Sequence, residues 1–258
     1  MRAAASAGGR GRPEPTSRPG ASAAFEASCA GTIEKLASAA VLSFGQHNPQ
    51  DPSKVRHAMQ LYVTLTSPYA RLARILVIEK GLTQRVAIIE AKTRTVGSPY
   101  YAINPSGRVP YLINDAGVGM EDSQLICAYL DALDGAPRFH ATACSSDWAY
   151  GRAEASARSL CDGLSVWVRE MHRPENERSP TVLAHEVARS ARARRCLRRP
   201  VAAPLWAGAP AMPHLVLAAA LDVARKRGPG DLTRGRGRLA AWHQKMSELP
   251  SLQATALP

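Results

Sequence analysis

Paired cysteines are missing from this chain of 258 residues. Its five cysteines, Cys29, Cys127, Cys144, Cys161 and Cys196, are odd in number and scattered, with no Cys-x-x-Cys spacing. That argues against a disulfide framework and a cysteine zinc site, so no metal is expected, and it fits a reducing compartment. Long apolar runs are missing too. None approaches the roughly 18 residues needed to cross a bilayer, so no membrane partner is expected. Aromatic residues make up only 5% of the chain, too few to offer a display for stacking bases. Acids are outnumbered, 21 against 33 Lys plus Arg, for a net charge of +12. Such an excess suits a polyanionic partner. Here it is concentrated in the N-terminal tail, residues 189–199 and the loop around 225–238, without interleaved aromatics. We read it as a solvated basic surface and not as a nucleic-acid interface.

The length allows one large or two small domains with real cores, and a 45% hydrophobic fraction is ordinary for a globular protein. Residues 1–58 are rich in Ala, Gly, Ser, Pro and Arg and show no sustained period beyond an apolar patch at 33–44. They read as a disordered or artefactual extension. A transit peptide shares that composition, but Glu14, Glu26, Glu34 and Asp51 run against one. Met59 directly precedes the first credible strand, and we take it as the natural start.

The chain is organised around Thr66-Ser67-Pro68-Tyr69-Ala70-Arg71-Leu72-Ala73-Arg74-Ile75-Leu76. Residues 61–65 before it suit a strand. Ser67 is a good N-cap, and Pro68 fits the first helical position, where a missing N–H costs nothing. Leu72, Ile75, Leu76 and Glu79 share one side, and Lys80-Gly81 is a natural stop. A helix N-terminus presents free N–H groups and positive partial charge, so an anion or thiolate arriving here meets Ser67 first.

A second strand at 85–89 completes a βαβ unit, which predicts parallel neighbours. Residues 97–107 read as loop and turn. Residues 109–113 and 117–120 read as a hairpin about Asn114-Asp115-Ala116. Asp122-Ser123 opens a helix striped by Leu125, Ile126, Tyr129 and Leu130. After a linker at 134–146 the periodicity is helical throughout, at 148–172, 181–197, 212–227 and 239–249.

Ser67-Pro68-Tyr69, Asn104-Pro105-Ser106-Gly107-Arg108-Val109-Pro110 and Glu121-Asp122-Ser123 resemble, in order and spacing, the soluble glutathione S-transferases of bacterial type with serine at the thiol site. Leu239-Ala240-Ala241-Trp242 and Leu249-Pro250-Ser251 resemble that family's closing helix. The match runs from Met59 to the C-terminus. It implies an α/β thioredoxin-like N-terminal domain at 59–136, a linker at 137–146 and an all-α C-terminal domain at 147–258. It also implies a cytoplasmic homodimer that uses glutathione as co-substrate and a small electrophile as second substrate, in detoxification. The resemblance makes Ser67 the residue that hydrogen-bonds the glutathione sulfur, with Thr64 and Thr66 as rivals. It assigns Arg108, Val109 and Pro110 to a cis-proline turn that pairs with the cysteinyl backbone, and Asp122 and Ser123 to the γ-glutamyl end. Tyr150 and Trp167 are second-substrate candidates. Each residue also has a plain reading: Ser67, Asp122 and Ser123 as helix caps, Pro110 as the head of an edge strand, Tyr150 and Trp167 as core.

Some features depart from the family. Ser67-Pro68-Tyr69-Ala70 lacks both cysteines of the related CPYC motif, which argues against dithiol redox chemistry. Met212-Pro213-His214-Leu215 stands where a Ser/Thr-x-x-Asp box often opens a buried helix. Residues 191–210 carry arginines and prolines where an apolar stripe belongs, which reads as a divergent loop or a local reading-frame error. Besides conjugation, a non-catalytic glutathione-binding or regulatory protein, or a glutathione-dependent isomerase, reductase or dehalogenase, fits the same scaffold.

Overall fold

The computed structural model describes residues 58–140, 148–196 and 204–258, all within one compact unit spanning 55–258. The expected N-terminal extension and the start at Met59 bear on 1–57, which lie outside the described residues. So does most of the linker, at 141–147.

Four short strands form one sheet in the order β2-β1-β3-β4. They are β1 (Met59–Val63), β2 (Val86–Glu90), β3 (Tyr111–Ile113) and β4 (Gly119–Glu121). β1 and β2 are parallel, as the βαβ reading requires, while β3 joins β1 and β4 antiparallel. β1 begins two residues earlier than its composition suggested. Its end is set by a turn in which the Ser67 N–H donates to the Thr64 carbonyl, 3.2 Å, so Thr64 and Leu65 belong to the turn and not to the strand. The hairpin forms with shorter strands than read, at 111–113 and 119–121, and Asn114 Oδ1 accepts from the Ala116 and Val118 N–H groups across the turn.

Helix α1 (Pro68–Glu79) crosses from β1 to β2. Leu72, Ile75 and Leu76 are fully buried, and the helix stops at Gly81, whose φ of 63° only glycine adopts freely. Residues 97–107 are not all loop. They include a one-turn helix, α2 (Tyr100–Ile103), whose Tyr100 packs on Tyr62, ring centroids 5.6 Å apart. In α3 (Ser123–Ala132) the inward face is Ile126, Cys127 and Leu130. Leu125, read as part of that stripe, points out at 55% exposure, because Cys127 takes the inward position between Ile126 and Leu130.

The rest is helical among the described residues: α4 (Trp148–Met171), α5 (Pro180–Cys196), α6 (Pro204–Ala207), α7 (Met212–Arg227), α8 (Gly237–Ser247) and α9 (Pro250–Ala254). Helix α7 is its centre, with every residue from Met212 to Ala224 buried. The irregular 191–210 stretch carries helix α5 on to Cys196 and supplies α6, and residues 197–203 lie outside the described residues. Trp206 of α6 stacks edge-on against Trp242, centroids 5.4 Å apart, and lies 5.0 Å from the His214 ring. The missing aspartate of the helix-opening box is half replaced. His214 Nδ1 accepts the Ala211 N–H at 3.2 Å, doing what a carboxylate does at that position, while Ala211 has no side-chain acceptor to return the bond.

One contiguous core runs through both parts, from Leu61 and Leu72 of the sheet layer to Leu217 and Leu252 of the helical layer. At its middle lies Arg71, 1% exposed. Its guanidinium donates to Asp222 Oδ2 at 2.8 Å, to Thr255 Oγ1 at 3.3 Å and to the Leu252 carbonyl at 2.9 Å. The same carboxylate takes Arg225 and lies 3.1 Å from His243 Nε2. Burial pushes the Asp222 carboxyl up, but His243 and Arg71 outweigh it and hold its pKa below the ordinary value.

Removing one partner of a buried pair strands the other, so Asp222→Asn should cost about 3–5 kcal/mol in urea denaturation near neutral pH. Because the folded pKa is depressed, that stabilisation is present above the unfolded carboxylate's value of about 3.9 and is lost as pH falls through the folded one. The gap between wild type and Asp222→Asn should therefore close as pH drops below about 4. A constant gap through that range would show that the ionised pair is not its source.

Candidate functional site

The candidate residues stand at the turn after β1, the turn before β3 and the start of α3; β3 pairs with β1, and α1 packs against α3. Ser67 is extended (φ −79°, ψ 121°), and its Oγ accepts the Ala70 N–H at 3.2 Å, so it is the cap that its position suggested. A hydroxyl carries one proton and two acceptor pairs. The cap uses an acceptor, which leaves the Ser67 proton for another partner. Capping and donation to a ligand are thus compatible at one atom.

Tyr69, two residues on, is committed elsewhere. Its hydroxyl lies 2.5 Å from Asp162 Oδ1 on α4. Burial, Cys161 and the Asp162 bond push its pKa well up, so it stays a neutral phenol. Burial also pushes the Cys127 and Cys161 thiols up to about 12, and neither supplies a thiolate at neutral pH. Thr64 is half-buried and Thr66 exposed. Both line a groove with Lys92, Thr93, Thr95 and Pro258, on the β2 side of Ser67.

The turn before β3 is built by polar groups. The Tyr100 hydroxyl donates to the Arg108 carbonyl at 2.5 Å, and Asn104 Nδ2 donates to it at 3.1 Å. Glu121 Oε2 accepts from Ser106 Oγ, tying the turn to β4. Gly107 sits at φ 65°, where a Cβ would also press to 2.8 Å from the Tyr101 ring. The Val109–Pro110 peptide is cis. With the Arg108 carbonyl occupied, Val109 comes next along the chain, half-buried, and its N–H and C=O make no hydrogen bond among the described residues. The Arg108 side chain is exposed.

Asp122 has φ 78°, a conformation uncommon for a non-glycine residue and typical of sites under functional constraint. Its Oδ1 caps α3, accepting from the Gln124 and Leu125 N–H groups at 2.8 and 3.1 Å. Ser123 is 9% exposed, and its Oγ accepts from Arg158 Nη1 of α4 at 3.3 Å. Trp167 packs against the main core from α4, and Tyr150 is half-buried near the start of that helix.

The structure puts Ser67, Val109, Pro110, Asp122 and Ser123 at the ends of elements that pack together through β1–β3 and α1–α3. Among the described residues no bond links Tyr150 or Trp167 to them. Sequence reading missed Arg71, Asp222, Asp162 and Arg158. The visible signal was an arginine and a lone aspartate inside mostly apolar helices; their separation of 151 residues hid the pairing.

A family model described as the glutathione S-transferase N-terminal domain matches residues 61–138. An uncharacterized GST-like protein, YibF, from Escherichia coli K12 is 30% identical over 128 residues, 50% of this chain and 62% of that protein. Glutathione S-transferase 2 of Saccharomyces cerevisiae is 33% identical over 87 residues, 33% of this chain and 37% of that one. The match therefore spans less than two thirds of either curated relative. Among solved structures, a glutathione transferase family member from Pseudomonas fluorescens Pf-5 with bound glutathione superposes with a TM-score of 0.69 at 26% identity, over 78% of this chain and 99% of that one. A glutathione S-transferase from Methylobacillus flagellatus KT with GSH bound gives 0.69 at 24% identity, covering 78% and 100%, a likeness of fold alone. Residues 61–138 thus match the glutathione S-transferase N-terminal domain, and over 78% of its length the chain shares the fold of a solved glutathione transferase family member.

Proposed function

We propose that this protein is a glutathione transferase that activates the thiolate of glutathione for attack on a small electrophile. The observation that carries the reading is Ser67, whose hydroxyl caps α1 and keeps its own proton free at the positive end of that helix. A thiol of pKa near 8.5 ionises more readily when a donor and a helix N-terminus face it. The Ser67 O–H donates to the sulfur, and the sulfur attacks the electrophile. The thiol proton passes to solvent, and a leaving group or an electron pair on the acceptor completes the balance.

In this reading the cysteinyl part of glutathione pairs with the open N–H and C=O of Val109 as an added strand, beside Arg108 and Pro110. The γ-glutamyl carboxylate meets Ser123 at the start of α3, where the Gln124 and Leu125 N–H groups are already taken by the Asp122 cap, and its ammonium meets Asp122. Residues 59–136 serve as the glutathione-binding domain, 137–146 as linker and 147–258 as the helical domain facing the electrophile, where Tyr150 and Trp167 stay second-substrate candidates. The working form is a homodimer in the reducing cytoplasm.

Ser67→Ala should lower turnover more than glutathione affinity, and should raise the pH at which thiolate absorbance appears in the complex. Loss of the cap should cost about 1 kcal/mol of stability besides. Ser67→Thr keeps both cap and hydroxyl and should largely preserve the titration. An unchanged titration and turnover in Ser67→Ala would make Ser67 a cap only and move the thiol contact to Thr64 or Thr66.

Ser123→Ala should weaken glutathione binding by about 1–3 kcal/mol in calorimetry, the range for a hydrogen bond to a charged group. Unchanged affinity would remove Ser123 from the binding surface.

A further inference from the structure

Ser123 has a neighbour that the family's motifs do not include. Arg158, two turns along α4 from Ala149–Tyr150, reaches α3 and donates through Nη1 to Ser123 Oγ at 3.3 Å. Its Nε is held by Glu154 Oε1 one turn back, at 2.7 Å. Its Nη2 is buried and has no hydrogen-bond partner among the described residues. The side chain as a whole is 14% exposed, and that of Glu154 is 13% exposed. A mostly buried guanidinium with donors to spare is costly unless something makes use of them.

We propose that Arg158 is a positioning residue for glutathione: it fixes the Ser123 hydroxyl as a donor to the γ-glutamyl carboxylate, and it contributes the positive charge that this carboxylate meets. The inference rests on the glutathione reading above and deepens it at one subsite.

The direction of the bond decides the matter. Serine Oγ can donate one hydrogen bond and accept two, so an isolated Ser123 could turn its proton towards any nearby acceptor. Guanidinium carries only donors and does not lose its proton in proteins. The Arg158–Ser123 bond can therefore run one way only, from Nη1 to Oγ. It occupies an acceptor pair of the hydroxyl and turns the proton away from α4. The residual exposure of Ser123, 9%, is where a ligand atom would arrive. Glu154 orients the guanidinium edge so that Nη1 faces Ser123.

Charge points the same way. The γ-glutamyl end of glutathione is an amino-acid head, with an ammonium and a carboxylate on one carbon. Asp122 and Arg158 flank Ser123 with opposite charges, the arrangement such a head group requires.

The test compares glutathione with 4-aminobutyryl-cysteinylglycine, the same tripeptide without the γ-glutamyl carboxylate, by calorimetry on the full chain. Wild type should bind glutathione at least about tenfold more tightly than the analogue. Arg158→Met should lose most of that advantage while binding the analogue within about twofold of wild type. In a Ser123→Ala background, Arg158→Met should add little, because the two residues act on one carboxylate. Arg158→Gln keeps N–H donors without the charge, and it stands in if the methionine variant does not fold. It should show an intermediate loss confined to glutathione. Equal weakening of both ligands in either variant would make Arg158 a structural tie between α3 and α4, and no weakening would make it a bystander. Either result overturns the proposal while leaving glutathione binding intact. Failure of the wild type to bind glutathione at all would instead overturn the underlying reading.

Discussion

A buried arginine on the first helix holds this molecule together. Arg71 follows the Ser67-Pro68-Tyr69 turn by two residues, and its guanidinium is almost entirely withdrawn from water. A charge in that position is tolerable only if it is paired and well hydrogen-bonded, since the cost of desolvation otherwise exceeds any gain. Asp222 on α7, the Leu252 carbonyl on α9 and Thr255 Oγ1 just beyond it take one N–H from each of the three nitrogens. The helix that begins at the candidate thiol site is thereby bolted to the helical layer. The Ser67 cap inherits its rigidity from contacts more than 150 residues away in the chain.

The same economy recurs at lower stakes around the site. Asp131, fully buried on α3, accepts the N–H groups of Arg138, Phe139 and His140 and fixes the chain where it leaves the sheet layer. Burial alone would raise its pKa, and those three bonds together with His140 bring it below the ordinary value. Glu121 and Tyr100 do comparable work on the turn before Val109. Each device satisfies nearby polar groups, while among the groups without a hydrogen-bond partner are the Val109 backbone and the buried Nη2 of Arg158.

The chain departs from the pattern of the family it resembles where a substitute has been found. His214 accepts the bond that a carboxylate usually takes at the start of the buried helix, and imidazole nitrogen and carboxylate oxygen are both competent acceptors there. Trp206, from the arginine-rich and proline-rich stretch that looked incompatible with a helix, packs against Trp242 and His214. The aromatic cluster seals the end of α7 nearest this replacement.

Much of this was legible in residue order. Periodicity and caps marked α1, α3, α4, α5, α7 and α8, because a strong 3.6-residue pattern with a stop such as Gly81 is a local property. The βαβ unit forced β1 and β2 to be parallel. Ser67 and Asp122 announced themselves as caps by position alone. Other features depended on neighbours that the sequence does not place. The end of β1 was decided by a hydrogen bond from Ser67 back to Thr64. The outward turn of Leu125 was decided by Cys127 taking the inward place. Whether Ser67 is only a cap turned on which of its lone pairs Ala70 occupies. The pairings of Arg71 with Asp222, Tyr69 with Asp162 and Ser123 with Arg158 each join residues far apart in the chain. Sequence determined which residues could bear charge or donate a bond, and only tertiary structure decided which of them meet, because those choices are made by packing between helices and not within them.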